Sequence, residues 1–228
     1  MFEVIKQKNI SDIIMDQIKE MVYDGRLKVG DKLPSELELA NKIGVSRASI
    51  REALKALKEM GLIDSKVGGG SFISNNFTDS LSGPLSLMVA LNNTDMKSIF
   101  EFRKVIEIGA ISSAAKNYTE EELKELKEIL ESMRLVSDEQ ILGKLDREFH
   151  EKIIDMSKNI FFKINMKAIV DILDRFLHVS AMKSKKEDIL KIHTEIYEAL
   201  KIKDEKLAKK ILERHLEEVE KLNFDRRN

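Results

Sequence analysis

The sequence predicts a mainly α protein in two parts. An N-terminal winged helix-turn-helix of three helices plus a small β-wing precedes a C-terminal all-α antiparallel helical bundle. Three observations carry this. Two short amphipathic segments between Ser35 and Gly61 are separated by Gly44, and a glycine-rich hairpin pattern follows them. From Asp95 onward there is no strand signal, glycine is scarce and proline absent, while apolar residues recur at helical spacing. The composition is 35% charged and 6% aromatic, with ten glycines and two prolines in 228 residues, a helix-rich profile long enough for two cores.

The first helix is expected over Ser11–Asp24, where Ile13, Ile14, Ile18, Met21 and Val22 supply an apolar face and Gly25 the end. Ser35 and Glu38 form an S-x-x-E capping box, which predicts the next helix start. Gly44 predicts its end, because glycine takes the left-handed conformation at little steric cost. Ser46 offers the following N-cap, and Ile50, Ala53, Leu54 and Leu57 make an i, i+3, i+4, i+7 stripe. Gly61 stops that helix.

With the stripe inward, Arg47, Ala48, Arg51 and Lys55 face outward. Arg47 and Ala48 sit in the first turn, where a recognition helix reaches base edges. An arginine fork matches guanine O6 and N7, a pairing that gives about 1–3 kcal/mol of discrimination. The hydroxyls of Ser35, Ser46 and Ser49, with free helix N-terminal amides, suit DNA phosphates. Leu62–Lys66, the glycine run and Ser71–Ile73 read as strand, tight turn, strand, with Gly68 and Gly69 letting the backbone approach DNA closely. Helix-turn-helix geometry also arises as plain packing, and an Arg/Lys face is also what a solvated helix presents. Spacing alone leaves both open.

The net charge of −1 is a whole-chain average. From Lys42 to Lys66 six basic residues stand against three acidic ones, a locally basic face sufficient for phosphate attraction. No run approaches eighteen apolar residues, so no membrane span is expected. MFEVIKQKN lacks a signal-peptide core. The absence of cysteine removes disulfides and thiolate metal sites, and fits a cytoplasmic protein.

The polar, turn-rich stretch 75–84 marks the best boundary, giving domains at 1–75 and 94–228 with a linker at 76–93 and a short linking helix over Leu85–Leu91. Six helices are expected beyond it, at about 95–117, 119–136, 138–157, 160–184, 186–203 and 204–222. Thr119 with Glu122, and Asp204, are N-terminal signals. All four histidines lie here: His150, His178, His193 and His215. Asp146 and His150 share a helix face at i, i+4. With His193 and His215 from two further helices they can form a divalent-metal site. Imidazole plus carboxylate suits zinc, nickel, iron or manganese, with zinc placed first. Scattered histidines in a helical protein are more often surface or core-packing residues, so spacing alone does not establish the site.

Residues 11–73 closely resemble the GntR family of bacterial transcription regulators. The resemblance lies in D-G-R-L-K-V-G-D-K-L-P-S-E (Asp24–Glu36), G-V-S-R (Gly44–Arg47), R-E-A-L (Arg51–Leu54) and G-G-G-S-F (Gly68–Phe72). Leu37 departs from the family, standing where members often carry a DNA-touching arginine. Gly69 departs too, in a wing position commonly polar or basic. The second half resembles the ligand-binding domain of the FadR-type subfamily, called FCD, in F-E-F-R-x-x-x-E (Phe100–Glu107), D-x-x-F-H (Asp146–His150), H-x-x-I-Y-E-A-L (His193–Leu200) and R-H-L (Arg214–Leu216).

That resemblance implies a homodimeric, ligand-responsive regulator, most often a repressor, on palindromic operator DNA. It implies metal ligands at Asp146, His150, His193 and His215, and a small carboxylate effector held near the metal. The acyl-CoA-responsive member that names the subfamily lacks this metal set, which argues against an acyl-CoA. Arg103 is the leading effector-binding candidate, since a guanidinium fork matches a carboxylate; a structural pair with Glu107, also i, i+4, is the alternative. Arg175 is a second candidate of the same kind. A metal-ion sensor is the nearest competing function. A metal-dependent hydrolase is the more distant one, because no general base or nucleophile motif accompanies the ligands.

Overall fold

Capping side chains and one close glycine contact shape the first part of the chain. The computed structural model describes residues 9–66, 69–92, 95–177 and 185–224, without the side chains of residues 66, 77–79, 82, 174–177 and 224. Gly68, His178 and the side chain of Arg175 therefore lie outside the described residues. The chain divides into two compact units, residues 1–84 and 85–228.

The first unit contains α1 (Ile10–Tyr23), α2 (Glu36–Ile43), α3 (Arg47–Glu59) and the strands β1 (Ile63–Lys66) and β2 (Gly70–Ile73). Ser35 Oγ accepts from the Glu38 amide while the Glu38 carboxylate accepts from the Ser35 amide at 2.8 Å, completing the capping box of α2. Gly44 ends that helix at φ 75°, and Ser46 Oγ caps α3 by accepting from the Ser49 amide at 3.1 Å. Ile50, Ala53, Leu54 and Leu57 are buried against Ile14 and Ile18 of α1 and Leu39 and Ala40 of α2.

The wing is antiparallel, with Ile63 opposite Ile73 and Lys66 opposite Gly70. It gains a further edge that the sequence pattern does not announce. The Gly30 amide donates to Ile73, the Ile73 amide to Asp31 and the Leu33 amide to Ser71, at 2.8–2.9 Å. The loop before α2 is thus tied to the wing. Gly61 has φ 77°, and a Cβ there would lie 2.6 Å from the Asn76 carbonyl oxygen. Only glycine admits this approach.

The next helix, α4 (Phe77–Leu91), begins eight residues before the expected linking helix and contains Pro84. The polar residues of 75–84 suggest a turn, yet Phe77, Leu81, Leu85 and Val89 recur every fourth residue, a helical period that persists through them. Pro84 removes one backbone rung without ending the helix.

The second unit is helical throughout its described residues: α5 (Met96–Asn117), α6 (Glu120–Leu135), α7 (Glu139–Met156), α8 (Ile160–Leu177), α9 (Lys186–Lys201) and α10 (Glu205–Phe224). Thr119 and Glu122 make the capping box of α6, and Asp204 Oδ1 accepts from the Leu207 amide at the start of α10. The centre is α5, packed by α7, α8 and α10. Its buried residues, among them Ile99, Phe100, Ile106, Glu107, Ala110, Ile111 and Ala114, occupy several faces, because neighbours surround it. A Cβ on Gly109 would come within 2.9 Å of the tip of the Phe162 ring from α8, which would have to shift to admit it. Glu107 is a charged group in that interior.

Candidate functional site

Asp146 and His150 come from α7, His193 from α9 and His215 from α10, and one donor atom from each lies within 4.8 Å of the others. His150 Nε2 is 3.3 Å from both His193 Nε2 and His215 Nε2, and His193 Nε2 is 3.4 Å from Asp146 Oδ1. Donors on a tetrahedral ion with bonds of about 2.0–2.1 Å stand roughly 3.3–3.4 Å apart. Three of the separations match that spacing, and all four donor atoms lie within 4.8 Å of one another. The histidines are buried, whereas the Asp146 side chain is 23% exposed. Three imidazole nitrogens and a carboxylate turned to one point in a buried setting form a donor set that fits a divalent ion.

The electrostatics divide the four donors into two pairs. Burial, reinforced by the positive character of His150 and His215, holds the His193 imidazole well below its ordinary pKa. Burial and His150 push His215 down to about 3. Both rings are therefore neutral at pH 7 and carry lone pairs. Burial also pulls on His150, but the charge and hydrogen bond of Glu107 outweigh it and raise its pKa. Burial raises the Asp146 carboxyl despite the attraction of His150 and Arg103.

Glu107 was legible in the sequence only as a possible partner of Arg103. It is 2% exposed; its Oε1 accepts from Arg103 Nε at 2.5 Å, and its Oε2 lies 2.6 Å from His150 Nδ1. Burial would raise the Glu107 pKa, but Arg103 and His150 together hold it well below the usual carboxylate range. No local signal joins Glu107 to His150, forty-three positions away.

Arg103 makes that salt bridge and also lines a cavity of about 90 Å³ with Phe100, Asp146, Arg147, His150 and Asn223. The cavity touches two of the four donor residues and is several-fold smaller than a pocket for a drug-sized ligand. Arg147 and Asn223 were not anticipated. The i+1 position of Arg147 from Asp146 is the only sequence signal for it.

In the first unit, Arg47, Ala48, Arg51 and Lys55 are exposed along α3, with Ser46 and Ser49 at its start, Ser35 at the start of α2 and Gly69 in the wing turn. Glu36, which the sequence did not single out, grips Arg51: Oε2 accepts from Nη2 at 2.9 Å and Oε1 from Nε at 3.2 Å. Arg47 Nη2 lies 3.8 Å from the same carboxylate. Lys55 pairs with Glu59 at 3.8 Å, and Leu37 is 53% exposed beside this face.

A winged helix-turn-helix with Arg47, Arg51 and Lys55 exposed on its second helix, together with a helical unit that holds a buried cluster of four donors, defines a DNA-binding transcription regulator of two parts. Residues 10–73 match the bacterial regulatory proteins of the gntR family, and residues 98–218 match the FCD domain. The chain belongs to the gntR family of bacterial regulatory proteins, with an FCD domain as its second part. It is similar to the HTH-type transcriptional regulator LutR of Bacillus subtilis (strain 168), 34% identical over 207 residues that span 88% of this chain and 94% of that protein. It is 30% identical over 174 residues to a putative L-lactate dehydrogenase operon regulatory protein of Escherichia coli (strain K12), covering 75% of this chain and 67% of that one. The solved Streptococcus agalactiae GntR shares the fold with a TM-score of 0.66 at 24% identity, across 92% of this chain and 99% of that one. Its relatives are regulators, not enzymes, which removes the hydrolase alternative. Among the described residues no helix is long and apolar enough to cross a membrane.

Proposed function

We propose that this regulator is a cytoplasmic, homodimeric repressor of a palindromic operator, which senses a small carboxylate through a metal centre in its helical unit. Asp146, His150, His193 and His215 hold the ion, zinc being the first choice for three imidazoles and one carboxylate. When bound, the ion supplies a positive charge at the cavity wall. Arg103 faces the same cavity with the Nη donors that its bond to Glu107 leaves for a carboxylate. The observation that carries this is the convergence of four donors beside an arginine-lined cavity small enough to exclude a long acyl chain.

At the operator, the first turn of α3 meets the major groove with Arg47 and Arg51, while Ser35, Ser46, Ser49, Lys55 and the wing glycines take the phosphates. Two copies on a palindrome extend the few base pairs that one winged helix reads. The effector changes operator affinity only by its preference for one arrangement of the dimer.

A thermal-shift screen of small organic acids on metal-loaded and chelator-stripped protein tests this. L-lactate is the first acid to try, given the operon named for the Escherichia coli relative. The expected outcome is a large stabilisation by one acid in the metal-loaded form only. Stabilisation by metal with none from any acid replaces the metabolite sensor with a metal sensor.

A further inference from the structure

One carboxylate joins the two halves of this site. Glu107 rises from α5 into the interior with both oxygens engaged, Oε1 by Arg103 Nε and Oε2 by His150 Nδ1. His150 turns its other nitrogen to the cluster, 3.3 Å from its two histidine partners. A carboxylate that accepts a proton from Nδ1 selects the tautomer with a lone pair on Nε2, fixes the ring plane and makes the imidazole a stronger donor. His193 provides an internal contrast. Its Nδ1 is buried without a hydrogen-bond partner, and its ring leans on Phe149 with centroids 4.4 Å apart. Of these two rings, packing orients one and a charged hydrogen bond orients the other.

We propose that Glu107 is the positioning residue of the metal centre, and that the chain Arg103–Glu107–His150 couples metal occupancy to the arginine that faces the cavity. The inference rests on the metal-plus-acid function proposed above. A cation held by His150 would withdraw electron density from the ring, and the Nδ1–H bond to Glu107 Oε2 would strengthen in response. That bond fixes Glu107, and Oε1 in turn fixes the plane of the Arg103 fork. Because coupling between binding sites is reciprocal, whatever immobilises Arg103 also holds His150 in its donor orientation. Arg103 thereby influences metal affinity without touching the metal.

Cobalt(II) binding by the full chain tests this, read from its visible bands and by competition with a chromophoric chelator. Glu107→Gln keeps the side-chain shape but has a single acceptor oxygen, so it cannot serve Arg103 and His150 together. Its cobalt affinity is expected to fall about 10–100-fold, the usual cost of removing a ligand's outer partner. The four-ligand spectrum should survive. Arg103→Met should weaken binding less, and adding it to Glu107→Gln should cost nothing further, as for residues acting in one chain. Unchanged affinity in folded Glu107→Gln overturns the positioning role, and additive losses overturn the chain.

A wild-type measurement stands apart from any folding defect in the variants. In the zinc-loaded protein His150 should carry a slowly exchanging, strongly deshielded Nδ1 proton, and a bare Nδ1 overturns the proposal. His193→Ala separates the two levels of argument. Lost cobalt binding there with normal binding in Glu107→Gln sinks only this inference. Full binding in His193→Ala sinks the metal site and the inference together.

Discussion

Arg51 with Glu36 and Arg103 with Glu107 are the same chemical pair in two settings. In the first unit the arginine and glutamate side chains are 66% and 33% exposed; in the second they are 16% and 2% exposed. Glu36 is kept ionised by its hydrogen bond to Arg51, which outweighs a small burial penalty. Glu107 pays a large burial penalty, and two cationic partners are needed to overcome it. The exposed pair is screened by water and ions and can open when a better partner arrives, such as a base edge or a phosphate. The buried pair has no such exchange available. Opening it strands a charge in the interior, so it serves as fixed architecture on which a site can be built.

The largest expected effect comes from breaking the buried pair. Arg103→Met retains the aliphatic volume and removes the charge facing Glu107. The second unit should lose on the order of 3–5 kcal/mol of stability, the usual cost of leaving one member of a buried pair behind. Arg51→Met should leave the unfolding midpoint of the first unit where it was. Urea titrations of both variants, followed by circular dichroism, measure the contrast. Equal losses in the two would mean that exposure does not govern these pairs.

The pH dependence sharpens the same contrast. In chelator-stripped protein His193 and His215 have depressed pKa values, so below the ordinary imidazole value of about 6.5 the unfolded chain takes protons that the native state refuses. Their contribution to stability is present above that pH and is lost as pH falls toward the folded values. His150 and Asp146 are raised and act in the opposite sense. The His150 contribution is full below about 6.5 and fades as pH rises, and Asp146 gains only near the carboxylate range. With the His150 contribution already full there, the two neutral buried imidazoles give a net loss between about pH 6.5 and 5. Glu36 and Glu107, both depressed, add losses only below about 4.5. Stripped protein should therefore melt lower at pH 5.5 than at pH 7.5, and His193→Leu should flatten that slope. A slope untouched by His193→Leu would place the acid sensitivity elsewhere.

What the sequence disclosed follows the same divide between local and distant. Capping boxes at Ser35/Glu38 and Thr119/Glu122 act within one turn, so their residues announce them directly, and the helix limits followed to within a few residues. The stripe from Ile50 to Leu57 was equally readable, because burial on one face leaves a period. The edge that residues 30–33 add to the wing was hidden, since it depends on pairing with Ser71 and Ile73, about forty positions along. The helix through Pro84 was obscured by local polar and turn residues that its four-residue apolar spacing overrides. At the helical site the four donors were named by their types and by family resemblance. Glu107 was seen only as a neighbour of Arg103 on α5. Its contact with His150 requires α5 and α7 to pack, which no local pattern encodes.

The smallest expected effect belongs to the exposed pair and concerns readout, not folding. Arg51→Ala should weaken binding to an operator selected from random sequence by at least tenfold at fixed salt, since a bidentate arginine contact is worth about 1–3 kcal/mol of discrimination. Glu36→Gln acts more finely. It removes a negative charge from the surface proposed to meet phosphates, so binding to random DNA should rise slightly. It also releases the carboxylate grip on Arg51 and the weaker one on Arg47, so the fork enters the groove less ordered. The ratio of operator to random-sequence affinity should then fall by a few-fold, with the salt dependence almost unchanged. If the ratio holds while both affinities rise together, Glu36 only tempers the charge of this face. If the ratio falls, an exposed ion pair that adds little to stability is an ordering device for sequence recognition, and its exposure is the condition for that role.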